Sequence, residues 1–308
     1  MEKLLRDKKA IIIFVSPALI LFTIVLFIPI CQSIYFSLCD IGVGTRTFVG
    51  FKNYIKLFTN DEHMLIALKN SMFFMAFSVL TQLVLGMLLA ALLSNLKLGK
   101  NFFKNVYYLP CVLSSAALGL MWMFIFNQKF GINKILAQWG IKGPAWLQSN
   151  KGFIILPMWV IAFVALWQYV GQSMMLYMAQ ISGIDKSLYE ASYIDGASKV
   201  QSFFNVTIPL IKPMVATAVS LNCIGSLKFF DLIYTMETPD ANPGHKTEVL
   251  ATHLYTQGFR FTKYGYASAI GVVLLILCLV VTVVINKFVK VSEDDMAGGP
   301  REDENEEA

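Results

Sequence analysis

Charged residues fall in clusters along this chain, and between the clusters lie long stretches that carry none. Five stretches hold no Asp, Glu, Lys or Arg: Ile11–Leu38, Asn70–Leu96, Asn105–Gln128, Gly152–Ile184 and Tyr264–Asn286, of 28, 27, 24, 33 and 23 residues. A sixth, Pro213–Met236, carries only Lys228 and Asp231 near its far end. Crossing a hydrocarbon layer of about 30 Å takes about 20 helical residues, so each stretch is long enough to span. The pattern predicts an all-α membrane protein with six transmembrane helices, at about 11–38, 70–96, 105–128, 153–180, 213–236 and 264–287. Residues 1–10 form a short N-terminus, 11–290 the membrane domain with an inner loop at 181–212, and 291–308 a tail.

Composition agrees. Of 308 residues 56 % are apolar and 15 % charged, with a mean hydropathy of +0.60. A soluble domain carries about 25 % charged residues, and so few cannot cover a water-exposed globule. Lipid is the solvent for most of this chain, which excludes a cytosolic enzyme and a secreted disulfide domain. The first apolar run is about twice the length of a signal-peptide core and no small-x-small site follows it, so it reads as an uncleaved helix. The five cysteines show no CxxC spacing, and four lie in apolar runs as small hydrophobes. His63, His245 and His253 show no HExxH spacing, so no metal site is expected.

The net charge of +5 divides unevenly. From Glu293 onward eight acidic residues stand against one Arg, while the first 292 residues carry a net of +12. The acidic stretch reads as a solvated tail. The basic excess suits anionic lipid, and no stripe suited to nucleic acid is present. With the N-terminus inside, the inner segments hold 13 Lys and Arg and the outer ones 11. The first helix begins with Lys3, Arg6, Lys8 and Lys9, so both termini are placed in the cytoplasm.

The connector after the fourth span is then cytoplasmic, and it is the most informative segment. Ser187 with Glu190 three residues on has capping-box spacing and starts a short helix. Gly196 takes the left-handed conformation that ends it. Ser198 and Gln201 repeat the spacing and start a second helix, which Pro209 and Pro213 stop as the fifth span opens. Apolar faces (Leu188, Ala191, Ile194; Val200, Phe203, Phe204) and small residues at the bend suit docking onto another protein.

Glu190-Ala191-Ser192, Gly196-Ala197 and Ile208-Pro209-Leu210 resemble the cytoplasmic-loop signature of binding-protein-dependent ABC importer permeases: Glu-Ala-Ala, then Gly, then Ile or Leu beside Pro. Ser192, in place of the second Ala, is the one departure. Phe48–Phe58, Asn70-Ser71, Tyr108-Leu109-Pro110 and Glu248–Phe259 are similar to the carbohydrate branch, the maltose and glycerol-phosphate importers, and to the first of its two permease types. The likeness runs from about residue 10 to 290. It implies a type I importer fold in a prokaryotic cell membrane. It also implies a second, different permease, two ATPase subunits and an external sugar-binding protein as partners. The residues it marks for coupling to the ATPase are Glu190, Ala191, Ser192, Asp195, Gly196, Ala197, Phe203 and Pro209.

The chain has no GxxxxGK[ST] phosphate loop. No cofactor of its own is expected, and ATP with magnesium belongs to the ATPase subunits. A carbohydrate needs hydroxyl-bonding groups and aromatic faces, and polar groups in a span are costly unless they face protein or a water-filled cavity. The fourth span offers Trp167, Gln168, Tyr169 and Gln172. The fifth offers Asn222 and Ser226 on one face, with Lys228 and Asp231 spaced to pair. The resemblance implies solute contacts near Gln168–Gln172 and Asn222–Ser226. The same groups would equally serve to bond helices together. Two rival readings stand: a same-family permease for a non-sugar solute such as a glycerol-phosphate compound, and a secondary transporter using Asp231 or Glu237 as a proton relay. No acid/base or nucleophile constellation lies in the spans, so no catalytic site is expected.

Overall fold

The computed structural model describes residues 8–42, 44–96, 98–149, 151–237 and 246–288; the acidic tail, His245 and most of the N-terminus lie outside them. Helix α1 (Lys8–Phe22) continues through a π turn (Thr23–Phe27) into α2 (Ile28–Ser37). A hairpin of β1 (Cys39–Gly42) and β2 (Thr45–Phe48) follows, antiparallel with Cys39 opposite Phe48. Then come α3 (Lys52–Thr59), α4 (Glu62–Ser94), α5 (Lys100–Val112), α6 (Ser115–Ile125), α7 (Gly131–Gln138) and α8 (Leu156–Gly183). After α9 (Lys186–Ile194), α10 (Lys199–Ser202) passes through a second π turn (Phe203–Thr207) into α11 (Ile208–Leu227). The chain closes with α12 (Asp231–Met236), α13 (Leu250–Tyr255), a third π turn (Thr256–Arg260) and α14 (Tyr264–Phe288).

Five helical stretches are long and apolar enough to cross a membrane: Ile12–Ser37, Glu62–Ser94, Leu156–Gly183, Lys199–Met236 and Tyr264–Ile285. The third expected span, 105–128, is not one helix. It is the pair α5 and α6, bent by 96° at their junction. Pro110 supplies no N–H to the ladder, and Leu113 and Ser114 take extended backbone before Ser115 restarts the helix. The second span starts at Glu62, ahead of its charge-free run. Lys69 fits inside that helix because its ammonium reaches the Phe153 carbonyl at 2.8 Å and lies over the Phe153 ring.

Pro29 and Pro209 meet the same local solution. Each would push its ring against the carbonyl four residues back in an α-helix. In both places the turn before Ile-Pro widens, so that Ile28 N–H bonds to Thr23 O and Ile208 N–H bonds to Phe203 O. The expected stop at Pro209 therefore does not occur, and backbone helix runs from Lys199 to Leu227.

The described residues divide into two compact units, one formed by those within 8–64 and 253–275 and the other by those within 65–252 and 276–288. In the first, the Asn53 amide donates to the carbonyls of Ser37 and Cys39, each at 2.9 Å, fixing α3 on the hairpin. Gly265 lies so close to the Cys39 carbonyl that a β-carbon would come within 2.0 Å of it, so no larger residue fits there. Asp61 accepts from Tyr266 Oη at 2.6 Å and pairs with His253 Nε2 at 3.0 Å. Burial pushes the Asp61 carboxyl up. The bonds from Tyr266 and His253, and the electrostatic pull of His253, outweigh it and hold the pKa below the usual carboxylate value.

The second unit holds the larger core. Phe74, Met158, Ile161, Val164, Leu232, Ile233 and Met236 pack together there. Lipid tails are as apolar as these side chains, so close packing rather than escape from water holds the helices to each other. Gly171 shows how close: a β-carbon there would meet the Tyr107 carbonyl at 2.0 Å, so only glycine lets α8 touch the α5 backbone. Asn70 and Ser71 hold the segment leading into α13. The Asn70 amide donates to the Lys246 and Glu248 carbonyls, and Ser71 Oγ accepts from Leu250 N–H.

Candidate functional site

Three helices of the second unit enclose a cavity of about 300 Å³. Phe74, Ser78 and Gln82 stand four apart and so line one face of α4. Ala165, Tyr169, Gln172, Ser173 and Leu176 come from α8, and Ala218, Leu221, Asn222, Gly225, Ser226 and Phe229 from α11 and its end. The wall contains two glutamines, an asparagine, three serines and a tyrosine, but no charged side chain. Phe229 stacks on Phe74 with centroids 5.1 Å apart and meets the edge of Tyr169 at 5.6 Å, giving the cavity an aromatic floor.

Some polar groups of the wall are already bonded. Ser173 Oγ donates to Gln82 Oε1 at 3.3 Å, and Tyr169 Oη lies 3.1 Å from Ser115 Oγ. The Asn222 and Ser226 side chains make no hydrogen bond to protein among the described residues, although Ser226 is buried. Unspent amide and hydroxyl groups facing a cavity are groups a polar solute can use.

Of the pathway residues expected from the sequence, Tyr169, Gln172, Asn222 and Ser226 meet at this cavity. Four do not. Gln168, one turn before Gln172, lies beside the cavity wall and is fully buried, its amide donating to Ser115 Oγ at 2.9 Å. Trp167 packs edge-on against Trp122. Lys228 and Asp231 form no ion pair, because helix α11 ends at Leu227 and the i,i+3 spacing that would join them needs an unbroken helix. Both are exposed outside the cavity wall. Ser78, Gln82 and Ser173 belong to the wall and were not singled out; the four-residue spacing of Ser78 and Gln82 in an otherwise apolar run was their signal.

The cytoplasmic connector folds as two short helices at a bend. The first starts two residues earlier than the Ser187–Glu190 spacing suggests. Asp185 is its N-cap and accepts from Ser187 N–H at 2.9 Å, a bond that holds the Asp185 carboxyl below its usual pKa. The carboxylate outcompetes the Ser187 hydroxyl for the first free N–H. Glu190 is thereby left exposed, with no hydrogen bond or ion pair among the described residues. Gly196 ends the helix at φ +79°, and Ala197 N–H bonds to the Ser192 carbonyl at 2.9 Å. Ser198 and Gln201 form a complete capping box.

Ser192, the departure from the signature, earns its place at the bend. Its hydroxyl lies 3.0 Å from Ser202 Oγ, and Tyr189 Oη lies 2.9 Å from Thr207 Oγ1, so the helices are tied on their inner side. The other side stays open: Ile194, Val200 and Phe204 are 86 %, 65 % and 59 % exposed. Glu190, Asp195 and Gly196 are exposed with them, Ala191 is exposed on α9, and Phe203 is half-buried.

Comparisons with known proteins agree with this architecture. Residues 64–291 match the family described as the binding-protein-dependent transport system inner membrane component. The chain is 35 % identical over 290 residues to YurN of Bacillus subtilis, a probable ABC transporter permease protein, covering 92 % of this chain and 97 % of that one. It is 30 % identical to the lactose transport system permease protein LacF of Rhizobium radiobacter, covering 88 % and 90 %. The crystal structure of a bacterial ABC transporter involved in the import of the acidic polysaccharide alginate shares the fold, with a TM-score of 0.79, 23 % identity and 94 % of this chain covered. A six-span helical chain with this loop, matched over most of its length, belongs to the inner-membrane permease family of binding-protein-dependent transport systems.

Proposed function

We propose that this permease forms, with a second and different permease, the membrane pathway of an ATP-driven importer for an uncharged sugar or short oligosaccharide. An external sugar-binding protein delivers the solute, and two cytoplasmic ATPase subunits, which bind ATP with magnesium, drive the cycle. The observation that carries the reading is the cavity between α4, α8 and α11: amides, hydroxyls and aromatic rings, no charged group, and two polar side chains without protein partners. Sugar hydroxyls match such groups, and sugar faces match rings. The names of relatives, a lactose permease and an arabinooligosaccharide permease among them, support the same class.

In this reading the cavity and the connector have separate tasks. Glu190, Ala191, Ser192, Asp195, Gly196, Ala197 and Phe203 present the docking surface to an ATPase. Movement there enters α11 through Pro209 and reaches Asn222 and Ser226. A phosphate-bearing solute fits less well, because the cavity wall offers no cation to meet it. Transport by the assembled complex separates the readings. Uptake driven by ATP of a neutral oligosaccharide, uninhibited by excess glycerol-phosphate diester, is expected. Uptake of the diester in preference to sugars, or uptake that survives ATP depletion, overturns the proposal.

A further inference from the structure

Toward the other end of α4 and α8 lies a second cavity, of about 390 Å³, with a different chemistry. Its wall includes Lys100, Lys186 and Lys199 and, among the described residues, no Asp or Glu. The three lysines come from three elements and occupy the same position in each, the first residue of α5, of α9 and of α10. A cation there works against the helix dipole, whose positive end lies at the N-terminus. Three wrong-signed residues converging on one cavity is an arrangement that an anion would stabilise. None of the three makes an ion pair among the described residues. Asp185, the nearest carboxylate in sequence, is engaged with Ser187 N–H and is not part of the wall. Ser94, Ser182 and Tyr189 also line the cavity.

We propose that this cavity binds a phosphate group, held by the ammoniums of Lys100, Lys186 and Lys199. Two sources carry that chemistry: the headgroup of an anionic lipid of the inner leaflet, and a free phosphate of the cytoplasm. Tyr189 both lines this cavity and bonds Thr207, so an occupant would brace the coupling helices from behind. Basic pockets at the cytoplasmic ends of membrane helices are suited to lipid phosphates.

The test uses the assembled importer in neutral detergent and follows its thermal unfolding. Short-chain phosphatidylglycerol is expected to raise the midpoint in a saturable, salt-sensitive way, while phosphatidylcholine of the same chain length does not. The triple variant K100Q/K186Q/K199Q should lose the effect, and Lys→Arg at all three positions should keep it. K100Q alone should weaken the apparent affinity about fivefold, equivalent to about 1 kcal/mol per lysine, and covers the case in which the triple variant fails to assemble. An equal rise with inorganic phosphate assigns the site to a free phosphate; a rise with the glycerol lipid alone assigns it to the bilayer. Equal responses of the wild type and K100Q to both probes overturn the proposal.

Discussion

The two cavities share walls and differ in sign. Gln82 and Ser94 stand on the same helix, about 18 Å apart along its axis, yet the first faces a cavity without charge and the second a cavity with three lysines. Depth explains the difference. A charged side chain within the hydrocarbon layer is expensive, so recognition there is left to neutral donors and acceptors. Near the membrane surface a lysine keeps its hydration at little cost, and charge becomes available for recognition. One pair of helices thus carries two chemistries, and sequence position along the span sets which one.

The largest expected effect tests whether the cytoplasmic end governs the deeper cavity. At φ +79° a β-carbon costs about 1–2 kcal/mol, although nothing lies within 4 Å to clash with it. Gly196→Asp should insert normally but lower uptake on the order of tenfold or more, with ATPase subunits lost from the purified complex. Gly196→Asn, which tolerates this conformation better, should lie between. Wild-type uptake by the Asp variant, with the ATPase retained, would remove the coupling role.

The next effect belongs to the neutral cavity alone. A site hydrogen bond is worth about 0.5–1.5 kcal/mol, so Asn222→Ala with Ser226→Ala should raise the concentration for half-maximal transport about tenfold. Transport is measured per assembled complex while the concentration of sugar-loaded binding protein is varied, so that the half-maximal point is that of the loaded carrier; the binding protein's own affinity for sugar should not change. If the double variant instead assembles poorly and transports normally per complex, these residues only hold helices together.

The smallest effect concerns the cluster of Asp61, His253 and Tyr266. The Asp61 pKa is lowered in the folded state, so its contribution to stability is present above the ordinary carboxylate pKa and is lost as pH falls through the lowered value. Asp61→Asn should unfold a few degrees earlier at neutral pH, and the gap from wild type should narrow in strong acid. A gap independent of pH would show that Asp61 acts through shape and not charge.

Much of this was legible in the sequence because lipid imposes a simple code. Charge-free runs mark the membrane helices, and the Ser198–Gln201 box and Gly196 mark the loop. The break at Leu113–Ser114 was not legible, since its run is uninterrupted by charge and Pro110 alone does not fix where a helix ends. Nor could sequence tell that Gln172 faces the cavity and Gln168 its own core. The two stand one turn apart on one side of α8, and their spacing does not say where along that side the edge of the cavity falls. The Asp185 cap was missed because two overlapping capping patterns compete there, and the stronger acceptor prevails.

The wide turn before Pro209 has a mechanical meaning. A π turn carries one residue more than the helix around it, and such an extra residue can in principle migrate, turning each residue it passes by about 100°. Here it is pinned. Pro209 has no N–H to hand on, so the surplus residue cannot pass toward Leu227. In the proposed transport cycle the shaft from Lys199 to Leu227 is therefore keyed: a displacement at its foot would reach Asn222 and Ser226 with its angle preserved.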